Sequence, residues 1–484
     1  MSHHMPSVRS LGYAYWLCLL TMPPAWAESQ ACYLAQGCMA GEVTANSVLL
    51  QTRLTTVPAL SDLQADIPAA AGFVCFEWSL QPDLKLAQRT PWLRADPQQD
   101  SIVRAEVHQL QPQSLYYYRA RYGLTTAAAQ AGPICRFRTL PSAESTRPVR
   151  FTMGSCMNYN KFMYGLPAKA SGPITATESD KKLGFPAFEA MKQIEPDFFI
   201  GTGDIVYYDN IFNGPARTLP ELRQCWHEQF RFPRLIEFFQ QTPAYWSKDD
   251  HDFRFDDSDL AGNRLPLPQT GIDLFREQLP ILPIADRQSP TYRTHRIHRH
   301  LQLWFTEGRD FRSPNKMPDG PNKSLWGAQQ LDWLQRSLLA SDATWKVVIS
   351  PTPMVGPDDA SKRDNHTNLG GFRHEAEAFF DWLRAHHVQN FITFCGDRHW
   401  QYHSRHPRGI QEFACGALND ENARLGVAPG SPKGTDPQGL IEQSYLCRQP
   451  TGGFLDVTAG EHLLIRIRDD RGQILYEVDL IPET

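Results

Sequence analysis

The sequence predicts an α/β domain preceded by a smaller all-β domain. Three observations lead there. Runs of alternating apolar and polar residues, bounded by turn residues, fill the stretch from about 38 to 140. From Arg150 onward, short continuous apolar runs alternate with segments of 3.6-residue periodicity. The chain has 484 residues, enough for two or three domains. Hydrophobic residues make up 41% and charged residues 21%, the balance of a globular protein able to bury a core without disulfides. The formal net charge of −5 gives no overall positive field for nucleic acid.

The first residues read as a targeting signal. Arg9 is followed by an apolar run from Leu11 to Met22, then by Ala25-Trp26-Ala27, a small–x–small cleavage pattern. Residues 1–27 are thus expected to be a signal peptide, with a run too short for a transmembrane anchor. No twin-arginine pair occurs, which points to Sec-type export and a secreted or periplasmic protein. Of the 10 cysteines, Cys18 would leave with the signal, and the odd remainder keeps at least one thiol unpaired. Proximity and strand pattern make Cys32–Cys38 and Cys75–Cys135 the expected pairs, although connectivity is not readable from sequence.

Residues 28–142 are expected to form the all-β domain. Its strands are read around Ser47–Gln51, Gly72–Trp78, Val103–Val107, Tyr116–Ala120 and Cys135–Thr139. Leu110 to Tyr118 is similar to the aromatic corner of immunoglobulin- and fibronectin-III-like sandwiches. The polar segment between Pro141 and Pro148 reads as a linker, and 148–484 as the α/β domain.

Within that second domain, four apolar strands end in chemically capable residues. Val149–Gly154 runs into Ser155-Cys156, and Asp197–Ile200 stops at Gly201-Thr202-Gly203-Asp204. Ala244–Ser247 leads into Lys248-Asp249-Asp250-His251-Asp252, and Asn390–Cys395 stops at Gly396-Asp397-Arg398-His399. Helices are read at 185–194, 329–339 and 375–385. Open α/β sheets hold ligands beyond the carboxyl ends of their strands, so these residues are expected on one rim. The acidic block would repel itself without a compensating cation. Tyr207 follows Asp204 by three residues and can supply a phenolate, a donor suited to a hard trivalent ion. No Gly-x-Ser-x-Gly elbow and no His-Glu-x-x-His occurs, which removes the serine-hydrolase and zincin readings.

Ser155-Cys156, Gly203-Asp204-x-x-Tyr207, Asp249 to Asp252 and Gly396 to His399 occur in the order seen in the alkaline phosphatase D (PhoD-like) family, which this sequence resembles over about residues 38–420. Gly308 to Arg312 and the stretch from Asn322 to Lys346 share the likeness. The resemblance implies a four-layer αββα metallophosphoesterase sandwich and hydrolysis of phosphate esters. It also implies Fe(3+) on Cys156, Asp204, Tyr207 and His399, with Asp204 bridging to Ca(2+) held by Asp250 and Asp397. His251 would serve as general acid or phosphate donor, and Arg309 and Arg398 as phosphate contacts or as structural ion pairs. The competing expectation is a non-catalytic secreted metal- or phosphate-binding protein on a degenerate phosphatase fold.

Three further stretches carry expectations. The 364–371 loop is read as a substrate-entrance lining, a source of a late ligand from Asn365 or His366, or a surface loop. Arg293–His300 is read as a strand with a solvated face, and Leu463–Val478 as a hairpin at a sheet edge. The oligomeric state and the natural ester are left open.

Overall fold

The structure, a computed structural model, describes residues 1–2, 31–59, 66–165, 173–209, 214–281 and 289–483. Nearly all of the expected signal peptide lies outside the described residues. Among the described residues, no helix is long and apolar enough to cross a membrane.

Two large sheets lie face to face. The first is nine-stranded. Its middle consists of Val149–Gly154, Phe198–Thr202 and Ala244–Ser247, mutually parallel, flanked on one side by the antiparallel strands Gly453–Ala459, Leu463–Asp469 and Ile474–Leu480. The C-terminal hairpin therefore does form a sheet edge. The second sheet is seven-stranded, with Leu301–Phe305, Trp345–Ser350 and Phe391–Cys395 parallel at its centre. Phe151, Ile200 and Tyr245 from the first sheet share one buried core with Phe305, Val347, Ile349 and Phe394 from the second.

Helices cover both outer faces. Helix Pro186–Ile194 places Phe188 and Met191 on Phe199 of the first sheet. Helices Gly327–Leu339 and Arg373–Ala385 place Leu334, Leu338, Phe379 and Phe380 on Trp304 and Val348 of the second. The central parallel strands are buried on both faces, which is why they read as continuous apolar runs rather than alternating ones. The result is a four-layer αββα sandwich preceded by a smaller all-β unit.

That smaller unit is not closed on itself. Gly72–Ser79 and Leu115–Gly123 pair in a six-stranded sheet, joined by Cys135–Arg138. Cys38–Gly41, Val48–Arg53 and Ile102–Val107 instead extend the nine-stranded sheet, through a parallel contact of Gly41 with Ala244. The aromatic corner is present: the Tyr116 hydroxyl accepts from the Gln111 N–H at 2.9 Å.

The expected disulfides are corrected by strand register. All nine described cysteines are free thiols. Cys135 shares the buried face with Phe137, whereas Cys75 shares the opposite face with Glu77 and lies across from Arg121. Two thiols on opposite faces of one sheet cannot bond. Cys38 hydrogen-bonds to Cys135 rather than pairing with Cys32. The solvated face expected of Arg293–His300 is likewise replaced. Arg293 donates to Glu42 at 2.8 Å and His295 lies 3.0 Å from the same carboxylate, which ties the strand to the N-terminal unit.

A second ionic seam joins the two units around Asp100. Its carboxylate accepts from Arg53 Nη2 at 2.7 Å and Gln278 Nε2 at 2.8 Å, and lies 2.7 Å from His227 Nε2. The other His227 nitrogen lies 2.6 Å from Asp66, so both ring nitrogens face carboxylates. Burial alone would raise the Asp100 pKa, but His227 and Arg53 hold it at about 2, below the ordinary 3.8. A folded-state pKa below the unfolded one contributes stability that is present above about pH 4 and lost as pH falls toward 2. Asp100→Asn is therefore expected to lower unfolding free energy by about 2 kcal/mol at neutral pH. In urea titrations the gap to wild type should close as the pH approaches the Asp100 pKa.

Candidate metal centre

The strand tips converge because the backbone turns abruptly after each strand. Cys156, Asp204 and Asp397 all adopt left-handed backbone with φ of 57°, 55° and 61°. Such conformations cost about 1–3 kcal/mol each in non-glycine residues and persist only where surroundings enforce them. Gly203, with φ of 83°, lies against the next tip: a Cβ there would stand 2.6 Å from the Asp249 Cβ. The turns are locked by hydrogen bonds between tips. Met157 N–H donates to the Asp204 carbonyl at 2.9 Å, and the Ser155 hydroxyl to the Gly203 carbonyl at 3.1 Å. Asp252 accepts from the N–H groups of Asp249 at 2.7 Å and Ile205 at 3.0 Å, which makes it a brace rather than a donor into the site.

Two groups of potential ligand atoms result, and Asp204 belongs to both. Cys156, Asp204 and His399 form one, and Asp204, Asp250 and His251 the other, with the atoms of each group within 4.8 Å of one another. Asp204 Oδ2 accepts from the Cys156 thiol at 3.4 Å and from the Tyr207 hydroxyl at 3.2 Å. Tyr207 in turn accepts from Asn422 Nδ2 at 3.1 Å. The Tyr207 and His251 rings stack with centroids 4.1 Å apart, and His251 Nδ1 lies 2.7 Å from Asp209 Oδ1.

Burial makes this arrangement costly without a cation. Burial, then the Asp250, Asp249 and Asp252 carboxylates, push Asp204 well above the usual carboxylate range despite His251 nearby. Burial and Asp204 push the Cys156 thiol and the Tyr207 phenol up in the same way. Burial, with Arg424 and Lys161, holds the His399 imidazole well below its usual range and therefore neutral, as a metal ligand must be. His399 Nδ1 is buried and has no hydrogen-bond partner among the described residues. A thiol, a carboxylate, a phenol and an unpartnered imidazole nitrogen on one point form a donor set that fits a metal ion.

The remaining predicted residues take different places. Asp250 lies between His251, Arg309 and Lys362, whose charges outweigh burial and hold its carboxyl below the usual range. Asp397 is buried beside the site, but its carboxylate is engaged by the Arg398 guanidinium. Arg398 also contacts Asp358 at 2.7 Å. Arg309 is fully buried; it contacts Asp249 at 2.5 Å and lies 3.5 Å from Asp364 and 3.9 Å from Asp250. Both guanidinium groups thus stand in ion pairs with the protein's own carboxylates.

The 364–371 loop is a correction on two counts. From Asp364 to Asn368 it is buried, not a surface loop. Asn365 and Asn368 donate to Asp358 at 2.8 and 3.0 Å, and His366 lies 2.9 Å from Glu375, so neither Asn365 nor His366 reaches the metal groups.

Sequence reasoning missed Asp209, Asn422, Asp364 and Lys161. Asp209 follows Tyr207 by two residues, and its place in the same tip loop was an available signal. Asn422 ends the 3-10 turn Asp420–Asn422 and Asp364 lies on a loop, and no periodic pattern marks either. Asp250 also belongs to a third acidic group with Asp256 and Asp257, and Lys362 ion-pairs with the latter two.

With this geometry in hand, comparisons place the chain among known proteins. The family model for PhoD-like phosphatase matches residues 151–438, and that for the PhoD-like phosphatase N-terminal domain matches 21–141. Alkaline phosphatase D of Bacillus subtilis (strain 168) is 22% identical over 397 residues, covering 75% of this chain. The chain spans 64% of that relative's length. The solved structure of PhoD superposes with a TM-score of 0.70 at 17% identity, over 93% of this chain and 89% of that one. A purple acid phosphatase from yellow lupin (Lupinus luteus) seeds superposes at 0.59 and 12% identity, over 91% and 73%. At these identities the two superpositions establish the fold, and the family match, spanning more than half the chain, establishes membership: this chain belongs to the PhoD-like phosphatase family.

Proposed function

We propose that the protein is an exported metallophosphoesterase that hydrolyses phosphate mono- or diesters. The observation that carries this reading is the position of Asp204 in two adjacent ligand groups, which is the layout of a two-metal centre. Cys156, Asp204, Tyr207 and His399 would hold Fe(3+), since thiolate, phenolate and imidazole favour a transition ion. Asp204 and Asp250, with Asp397 on release from Arg398, would hold a hard divalent ion such as Ca(2+) through carboxylate oxygens. When bound, the two cations supply Lewis acidity toward a phosphoryl oxygen and lower the pKa of a water.

The chain's own residues perform the remaining tasks. Asp209 accepts the His251 Nδ1 proton and so directs Nε2 outward. His251 Nε2 would then deliver a proton to the departing ester oxygen. Tyr207, stacked on His251, fixes the plane of that ring. Arg309 holds Asp249 and flanks Asp250, keeping the acidic tip from repelling itself apart. The Ala25-Trp26-Ala27 pattern supports export.

Three variants test this reading. Asp204→Asn is expected to lose bound metal and ester hydrolysis together, measured by elemental analysis and p-nitrophenyl phosphate turnover; full turnover in that variant refutes the shared-ligand role. Tyr207→Phe should abolish a visible charge-transfer band while leaving the divalent ion in place. Asp209→Asn should lower kcat by about 100-fold with little change in KM, the scale of a misdirected acid–base group. An equal fall in metal content would instead assign Asp209 to the metal shell.

A further inference from the structure

Arg309 and Arg398 were expected as phosphate contacts or as structural ion pairs, and both are committed to carboxylates. The question is which positive group beside the centre is still free to receive an anion. Lys161, on the short helix Tyr159–Tyr164 that follows Cys156, answers it.

Its side chain is 4% exposed, yet among the described residues its ammonium makes one hydrogen bond, to the neutral amide oxygen of Asn422 at 2.9 Å. An ammonium has three donors, and a buried one without an anionic partner is costly. Lys248 shows the ordinary solution in the same protein: it contacts Glu307 at 2.7 Å and Asp310 at 2.5 Å. Among the described residues Lys161 has no such partner, and the carboxylates that act on it, Asp209 and Asp256, are paired with His251 and Lys362. Burial and the Arg424 charge lower its pKa to about 8, while Cys156, Asp209 and Asp256 act on it from the side of the site.

Asn422 fixes where Lys161 stands. Its amide nitrogen donates to the Cys156 carbonyl at 2.9 Å and the Tyr207 hydroxyl at 3.1 Å, while its oxygen accepts from Lys161. One amide thus holds a buried cation next to the residues of the Cys156–Asp204–His399 group. Arg424 approaches from outside. Its N–H donates to the His399 carbonyl at 2.8 Å, and its exposed guanidinium has no ion pair among the described residues.

We propose that Lys161 and Arg424 form an oxyanion subsite that takes the non-bridging oxygens of a phosphate group, in the ester substrate and in the released orthophosphate. The inference rests on the phosphoesterase reading and adds the recognition of the anion to it. Lys161 donates from within as a point charge, and Arg424 closes from the rim with a planar pair of donors. A phosphomonoester dianion carries one more charge than a diester, so the subsite favours monoesters.

The test uses the full-length metal-loaded enzyme and orthophosphate as a competitive inhibitor. Lys161→Met is expected to keep its metal content and raise the orthophosphate inhibition constant by about 10- to 100-fold, the worth of a hydrogen bond to a charged group. Its kcat/KM should fall more for p-nitrophenyl phosphate than for bis-p-nitrophenyl phosphate, and Lys161→Arg should restore part of both. A metal-replete Lys161→Met enzyme with unchanged phosphate inhibition overturns the proposal while the phosphoesterase reading stands. Should Lys161→Met lose metal or fail to fold, Arg424→Ala on the exposed rim decides by the same measure: weaker inhibition supports the subsite, and unchanged inhibition removes it. If the wild-type protein hydrolyses neither ester, the phosphoesterase reading fails, and calorimetric binding of orthophosphate to wild type and variants then decides the subsite alone.

Discussion

The close approach of the two sheets at Gly396 is the constraint on which the rest of the site depends. A Cβ at this position would overlap the Ser155 hydroxyl and stand 2.6 Å from the Thr202 carbonyl oxygen. Only a residue without a side chain lets the tip of Phe391–Cys395 rest on the tips of Val149–Gly154 and Phe198–Thr202. The contact joins opposite halves of the sandwich. Cys156, Asp204 and Asp250 ride on the first sheet, and Asp397 and His399 on the second. His399 reaches the Cys156–Asp204 pair because the second sheet is seated this close.

The site also separates its charges into two classes. Asp249, Asp358 and Asp364 are paired with or lie near Arg309 and Arg398, two guanidinium groups that are themselves deeply buried. Among the described residues, the thiol of Cys156 and the carboxylate of Asp204 have no guanidinium in contact. Buried acids of the first class are neutralised by the protein; those of the second await an external positive charge. The arginines thus narrow the metal-binding capacity of a very acidic loop cluster to a small set of donors. Arg309 serves the site through the carboxylates it neutralises.

How much of this was legible in the sequence depends on where the signal resides. Strands buried on both faces leave continuous apolar runs, and the residue that ends such a run is visible by position alone. Cys156, Asp204, Asp250 and His399 were marked as candidates that way, and they fall in the candidate ligand groups. Asn422 and Lys161 were not, because their roles come from a contact between an early helix and a late loop 261 residues apart. No periodicity encodes such a contact. The cysteine pairs failed for a related reason: proximity and strand pattern placed Cys75 with Cys135, while the pleat of the sheet set them on opposite faces. The ambiguity over Arg309 had no sequence resolution either, since an arginine that binds phosphate and one that binds aspartate look alike until the partners are placed.

The N-terminal unit enters the same chain of causes. Strand Cys38–Gly41 pairs with Ala244–Ser247, the strand that ends in the Asp249–Asp252 block. Glu42, just beyond that strand, is gripped by Arg293 and His295 of the second sheet, which hold its carboxyl down at about 2 against the opposing effect of burial. The unit therefore touches both sheets at once, extending one by hydrogen bonds and tying the other by charge. Since the candidate metal groups draw residues from both sheets, whatever holds the sheets together also holds those residues in register. The all-β unit is, on this argument, part of the scaffold that keeps Asp250 and His399 facing the shared carboxylate of Asp204.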